Sequence, residues 1–165
     1  MIPSDHFVRF YNEIFKFLEK KGEGCLEDYF KAISRHQETH CLELFSRGLQ
    51  GMVDYWKTIK KEENCDSEKF LDGRKVFGFM SKCPSLSKVL DNDAEPCRHY
   101  CRHCPGWVLP IMTKAGYYCM YDLVEYDMPR CCSLICEDLE EAREYKKLFL
   151  KRHPDKPEMI VANFD

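Results

Sequence analysis

The chain has 165 residues, 44% of them apolar and 13% aromatic, enough for one packed core. Its net charge of −3 and pI near 6.1 provide no positive field for a phosphate backbone, which argues against a nucleic-acid partner. Met1-Ile2-Pro3-Ser4-Asp5-His6 lacks a basic leader followed by an apolar stretch, and no apolar run approaches the ~20 residues that span a bilayer, so a cytoplasmic protein away from membranes is expected, with 1–165 as a single domain.

Residues 1–64 read as a helical lobe. Ser4 is placed to cap a first helix, in which Phe7, Phe10, Tyr11, Ile14, Phe15 and Leu18 recur at spacings of three and four until Gly22 and Gly24. A second helix starts near Cys25, carries Leu26, Tyr29, Phe30 and Ile33, and runs on through Leu42 and Phe45 to Gly48. After Gly51 a third presents Met52, Tyr55, Trp56 and Ile59 and ends in the charged stretch Lys60 to Glu63.

Residues 74–165 read as a Cys-rich α+β part. Val76 to Met80 is a short apolar strand, Cys83-Pro84-Ser85 a turn, Leu86 to Leu90 a short helix and Asp91-Asn92-Asp93 a loop. Pro96 opens a helix bearing a cysteine cluster, Pro105-Gly106 interrupts it, and Trp107 to Lys114 is a further helix capped by Gly116. Tyr117 to Tyr126 and Arg130 to Cys136 form a hairpin about Asp127-Met128-Pro129, Glu137 to Arg152 a helix, and Met159 to Phe164 an edge strand. The fold class is α+β: a helical N-terminal half, then a small antiparallel sheet with flanking helices.

Eleven cysteines without a secretory leader point to metal ligation or redox work rather than a disulfide framework. Cys97, Cys101 and Cys104 have C-x3-C-x2-C spacing, which can turn three thiolates toward one point, with Cys83 as the fourth ligand and His99 or His103 as substitutes. Arg98 and Arg102 would offset thiolate charge. Such a set suits zinc or an iron–sulfur cluster. With one position left open, zinc would activate water for a small-molecule hydrolase, with His99, His103 or Glu95 as general base. Two other readings stay open. One is a ligand-binding or sensor module without catalysis, with Tyr117, Tyr118, Tyr121 and Tyr126 lining a pocket; the other is a redox or electron-transfer protein cycling Cys101 and Cys104.

Secondary candidates lie elsewhere. His36 and His40 are four apart on a helix, so both can face one way and hold a metal, or form a plain polar face. Strand alternation puts Cys132 and Cys136 on one face with Leu134 and Cys131 on the other, as core fillers or as an extra ligand or nucleophile.

The segment Tyr100-Cys101-Arg102-His103-Cys104 is similar to the motif of the lysine aminomutase branch of radical S-adenosylmethionine enzymes, which would imply a four-iron cluster. The chain ends too soon after Cys104 for the partial barrel that motif serves, so the similarity stops at these residues. From Val76 to Glu137 the order is a strand into Cys83-Pro84, a cysteine cluster, Gly116-Tyr117, a strand, and Pro129-Arg130-Cys131-Cys132-Ser133-Leu134-Ile135. This layout resembles small Cys-rich bacterial L-2-amino-thiazoline-4-carboxylic acid hydrolase-like proteins, which implies hydrolysis of a small sulfur heterocycle. A similar ending occurs in vinyl-reductase-type ligand-binding domains, which implies a sensor.

Overall fold

A computed structural model describes residues 5–22, 24–91 and 95–165. The expected cap Ser4 and loop residues Asn92 and Asp93 lie outside them. Three helices come first, as expected: α1 (Asp5–Lys21), α2 (Cys25–Phe45) and α3 (Gly48–Glu63). Their apolar stripes, spaced by three and four, must each find a partner, and they find two. Val8 and Phe15 of α1 pack with Leu26 and Phe30 of α2, while Cys41, Phe45, Leu49, Met52 and Val53 turn to the sheet.

The sheet has five strands, β1 (Asp66–Asp72), β2 (Lys75–Lys82), β3 (Tyr118–Asp122), β4 (Cys131–Cys136) and β5 (Ile160–Ala162). They lie in the order β1-β2-β4-β3-β5, with every neighbouring pair antiparallel. The fold is therefore α+β, with the helices where the sequence pattern put them. Strand β1 had no counterpart in the sequence reading. It is an edge strand of mostly exposed polar residues, so it lacks the apolar alternation that announces a half-buried strand.

Between β2 and β3 the chain forms α4 (Pro84–Leu90), a 3-10 turn (Tyr100–Arg102) and α5 (His103–Ala115). Pro105 and Gly106 do not interrupt α5, contrary to expectation. Pro105 falls in the first turn, where a missing N–H leaves no bond unmade. Gly106 lets α5 approach α2: a Cβ there would stand 2.8 Å from Phe30 Cβ. Gly116, left-handed at φ +81°, ends α5 as expected.

Helix α6 (Leu139–Leu150) covers the other face of the sheet, where Ala142 and Phe149 meet Met120, Leu134 and Cys136. The molecule is thus layered as α6, sheet, then α2, α3 and α5, with α1 and α4 beyond. The main core draws on both α2–α3 and the strands, so the helical lobe and the Cys-rich part share one interior. No helix among the described residues is long and apolar enough to cross a membrane.

Gly106→Ala should therefore destabilise the protein by ~1–3 kcal/mol, because Phe30 is held in the core and has little room to yield. Denaturant midpoints test this, and an unchanged midpoint would mean that α2 and α5 stand further apart.

Candidate functional site

Alternation along β4 decides which cysteines face the helices. Leu134 and Cys136 point to α6, and Ile135 points to the main core, so Cys131 and Ser133 share the helix-facing side. Cys136 is fully buried against α6 as a small apolar filler, and Cys132 borders a shallow depression with Phe77 and Tyr145. On the helix-facing side the layers do not close completely. They leave a cavity of about 430 Å³ bordered by Phe45, Tyr55, Trp56, Trp107, Ile111 and Tyr121, with Cys41, Cys65, Cys83, Cys104 and Cys131 among its walls.

The four expected metal ligands differ in burial: Cys97 is buried, Cys83 and Cys101 are half-buried against the same cluster, and Cys104 is exposed. Cys97 is buried in the cluster between α1 and α4, and its N–H donates to Asn12 Oδ1 at 2.7 Å. Asn12 Nδ2 in turn donates to the Glu95 carbonyl at 3.1 Å, so α1 clamps this stretch on its own side. Cys101 and Cys104 are three residues apart across the junction of the 3-10 turn and α5, and they lie within electrostatic reach of each other and of Cys83. Cys131, on the face of β4 opposite the secondary candidate Cys136, joins them. Cys83 is fixed from two directions: its N–H donates to the Pro129 carbonyl at 2.6 Å, and its Sγ accepts from the Leu86 N–H at the start of α4.

All eleven cysteines are free thiols. Burial, with repulsion from Cys104, pushes Cys83 up to about 11; burial takes Cys104 itself to about 11 despite the opposing pull of Lys69. Burial also raises Cys101 and Cys131 well above the usual thiol range, with mutual repulsion adding to it. Cys104 is exposed where it borders the cavity, and desolvation by the surrounding walls is the main cause of its raised pKa. Without a cation these sulfurs are neutral. Among the described residues no three Cys, His, Asp or Glu side chains stand in a metal-holding arrangement.

The basic residues expected beside the thiols lie elsewhere. Arg98 stacks over the Tyr126 ring, and Arg102 reaches the Glu158 carbonyl. The cation that lowers Cys104 and Cys131 is Lys69 of β1, which no sequence motif singled out.

The expected bases also separate. His99 bonds Glu19 on α1 through Nδ1 at 2.6 Å, and Glu95 is exposed. His103 is buried at the cavity wall, with Nδ1 bonded to the Tyr100 carbonyl at 2.5 Å and Nε2 3.3 Å from Cys104 Sγ. Burial pulls its pKa down to about 4, against the opposing effect of the Tyr100 bond, so the ring is neutral. His36 and His40 are exposed on α2 and do not border the cavity. Of the hairpin tyrosines only Tyr121 borders it, while Tyr118 packs on Phe164.

Because the folded pKa of His103 lies below that of the unfolded chain, the unfolded state binds a proton first as pH falls. Metal-free protein should therefore lose up to about 3 kcal/mol of stability between pH ~6.5 and ~4 through this group. His103→Gln should flatten that slope in urea midpoints, and an unchanged slope would exclude His103 as the cause.

Family models, curated proteins and solved structures gave no match to this chain.

Proposed function

We propose that the protein binds a small, mostly apolar molecule between its sheet and its helices. The observation that carries this reading is the cavity of about 430 Å³ walled by Phe45, Tyr55, Trp56, Trp107 and Tyr121. That volume is in the range of pockets that enclose drug-sized ligands. The walls are rigid aromatics braced on one another, with Phe45 stacked on Trp56 at 5.5 Å and Trp107 4.7 Å from the His103 ring. An occupant would restore the dispersion contacts that an empty apolar space forgoes. The layout resemblance to vinyl-reductase-type domains and to thiazoline hydrolase-like proteins supports the same class of partner. A cytoplasmic setting suits it too, since a reducing compartment preserves so many free thiols.

Both tryptophans of the chain border the cavity, so their fluorescence reports occupancy. Bromobenzene, an uncharged heavy-atom quencher, should quench them saturably with about one site per chain. Val108→Phe narrows the cavity and should weaken this binding roughly tenfold or more, with circular dichroism unchanged. Linear, unsaturable quenching, or equal binding by the variant, would defeat the reading.

A second reading is favoured by the thiols themselves. Cys83, Cys101, Cys104 and Cys131 reach one region from three separate pieces of chain, and their ionised forms oppose one another. Their donor chemistry fits zinc or an iron–sulfur cluster, and a cation would lower their pKa values and draw the sulfurs together. Bound zinc would supply Lewis-acid polarisation beside the cavity, and the neutral His103 ring, next to Cys104, is the base or spare ligand within reach.

Elemental analysis of protein purified without oxygen separates the possibilities. Metal should be lost in Cys104→Ser and Cys131→Ser but retained in Cys97→Ser and Cys25→Ser. Retention in Cys131→Ser with loss in Cys97→Ser would restore the C-x3-C-x2-C set. Metal-free wild type with reversible oxidation of Cys101 and Cys104 would favour a redox role instead.

A further inference from the structure

One charged side chain in the cavity is only partly accounted for by its pull on the thiols. Lys69, on edge strand β1, points inward into the cavity instead of out to solvent. Lys69, Gly78 and Ser133 stand in register across β1, β2 and β4, and the lysine lies over the glycine to reach the serine, with Nζ donating to Ser133 Oγ at 2.8 Å. Gly78 is what allows this, because a Cβ there would collide with both Lys69 Nζ and Ser133 Oγ. From the helical side the ammonium faces the Trp56 ring, 5.1 Å from its centroid. The groups around it are the thiols Cys131, Cys119, Cys104 and Cys132, of which burial keeps Cys104, Cys119 and Cys131 neutral. Among the described residues no carboxylate pairs with Lys69. Among the described residues the acidic side chain on the cavity wall is Glu63, and the charges that act on Lys69 are those of thiols.

An ammonium on a half-buried residue, set among apolar cavity walls with one neutral hydrogen bond, is poorly compensated. Burial opposes its charge, and a single anion arriving in the cavity would reverse that penalty. Ser133 accepts from Lys69 and keeps its own hydroxyl hydrogen to donate, so the pair offers two donors to one acceptor group. One cation and one hydroxyl suit a monoanion. A phosphate dianion would bring a second charge into apolar walls with nothing to meet it.

We propose that Lys69 and Ser133 bind the charged head of the ligand, and that the cavity takes an amphipathic monocarboxylate with its apolar body among the aromatic walls. This rests on the small-molecule reading above and specifies the chemical class of the ligand.

Calorimetry with 1-naphthoate and its uncharged analogue 1-naphthylmethanol, in the presence of a chelator, tests it. The acid should bind wild type at least tenfold more tightly than the alcohol. Lys69→Met should remove that preference by weakening the acid and leaving the alcohol unchanged. Ser133→Ala, a milder change, should weaken the acid several-fold with the alcohol again unchanged. Gly78→Ala keeps the lysine but displaces it from Ser133, and should also erode the preference. Equal affinity of wild type for the two probes, or a preference that survives Lys69→Met, would overturn the lysine anchor and leave the cavity reading intact. If neither probe binds, the cavity reading falls and the anchor with it.

Discussion

A lysine held inside an apolar cavity governs much of the surrounding architecture. Lys69 can lie flat across the sheet only because Gly78 has no side chain and Ser133 stands next in the same row. The helices cannot close down on that row, because Trp56, stacked on Phe45, stands over the ammonium. The space left between is the cavity, and its walls come from every layer that packs on this face of the sheet.

The same enclosure sets the state of the thiols. Burial raises Cys83, Cys101, Cys104 and Cys131 together, so the site is a set of neutral sulfurs beside one cation rather than a group of thiolates awaiting a substrate. A neutral thiol is a weak nucleophile and a weak ligand, and a bound metal would change both properties at once. Polar function on this face is therefore concentrated in Lys69, Ser133 and the neutral His103.

Much of the fold was legible in the residues. The three- and four-spaced aromatics of the first 64 residues announced α1 to α3, and strand alternation placed Cys132 and Cys136 opposite Cys131. Gly116 marked the end of α5. Strand β1 was hidden because an edge strand needs no apolar face, and α5 was wrongly divided because Gly106 serves a close helix contact rather than a break.

For the site, sequence alone put Cys101 and Cys104 close together, since only one helical turn separates them. Only the tertiary structure decided the rest. It took Cys97 to the α1 side through Asn12, brought Cys131 in by antiparallel pairing, and set a lysine from a polar edge strand at the centre. Local spacing carries side chains a few residues apart onto one face. The pairing of β2 with β4, and the reach of Lys69 over β2 to Ser133, depend on register and on which neighbour lacks a side chain, and neither is written in any short motif.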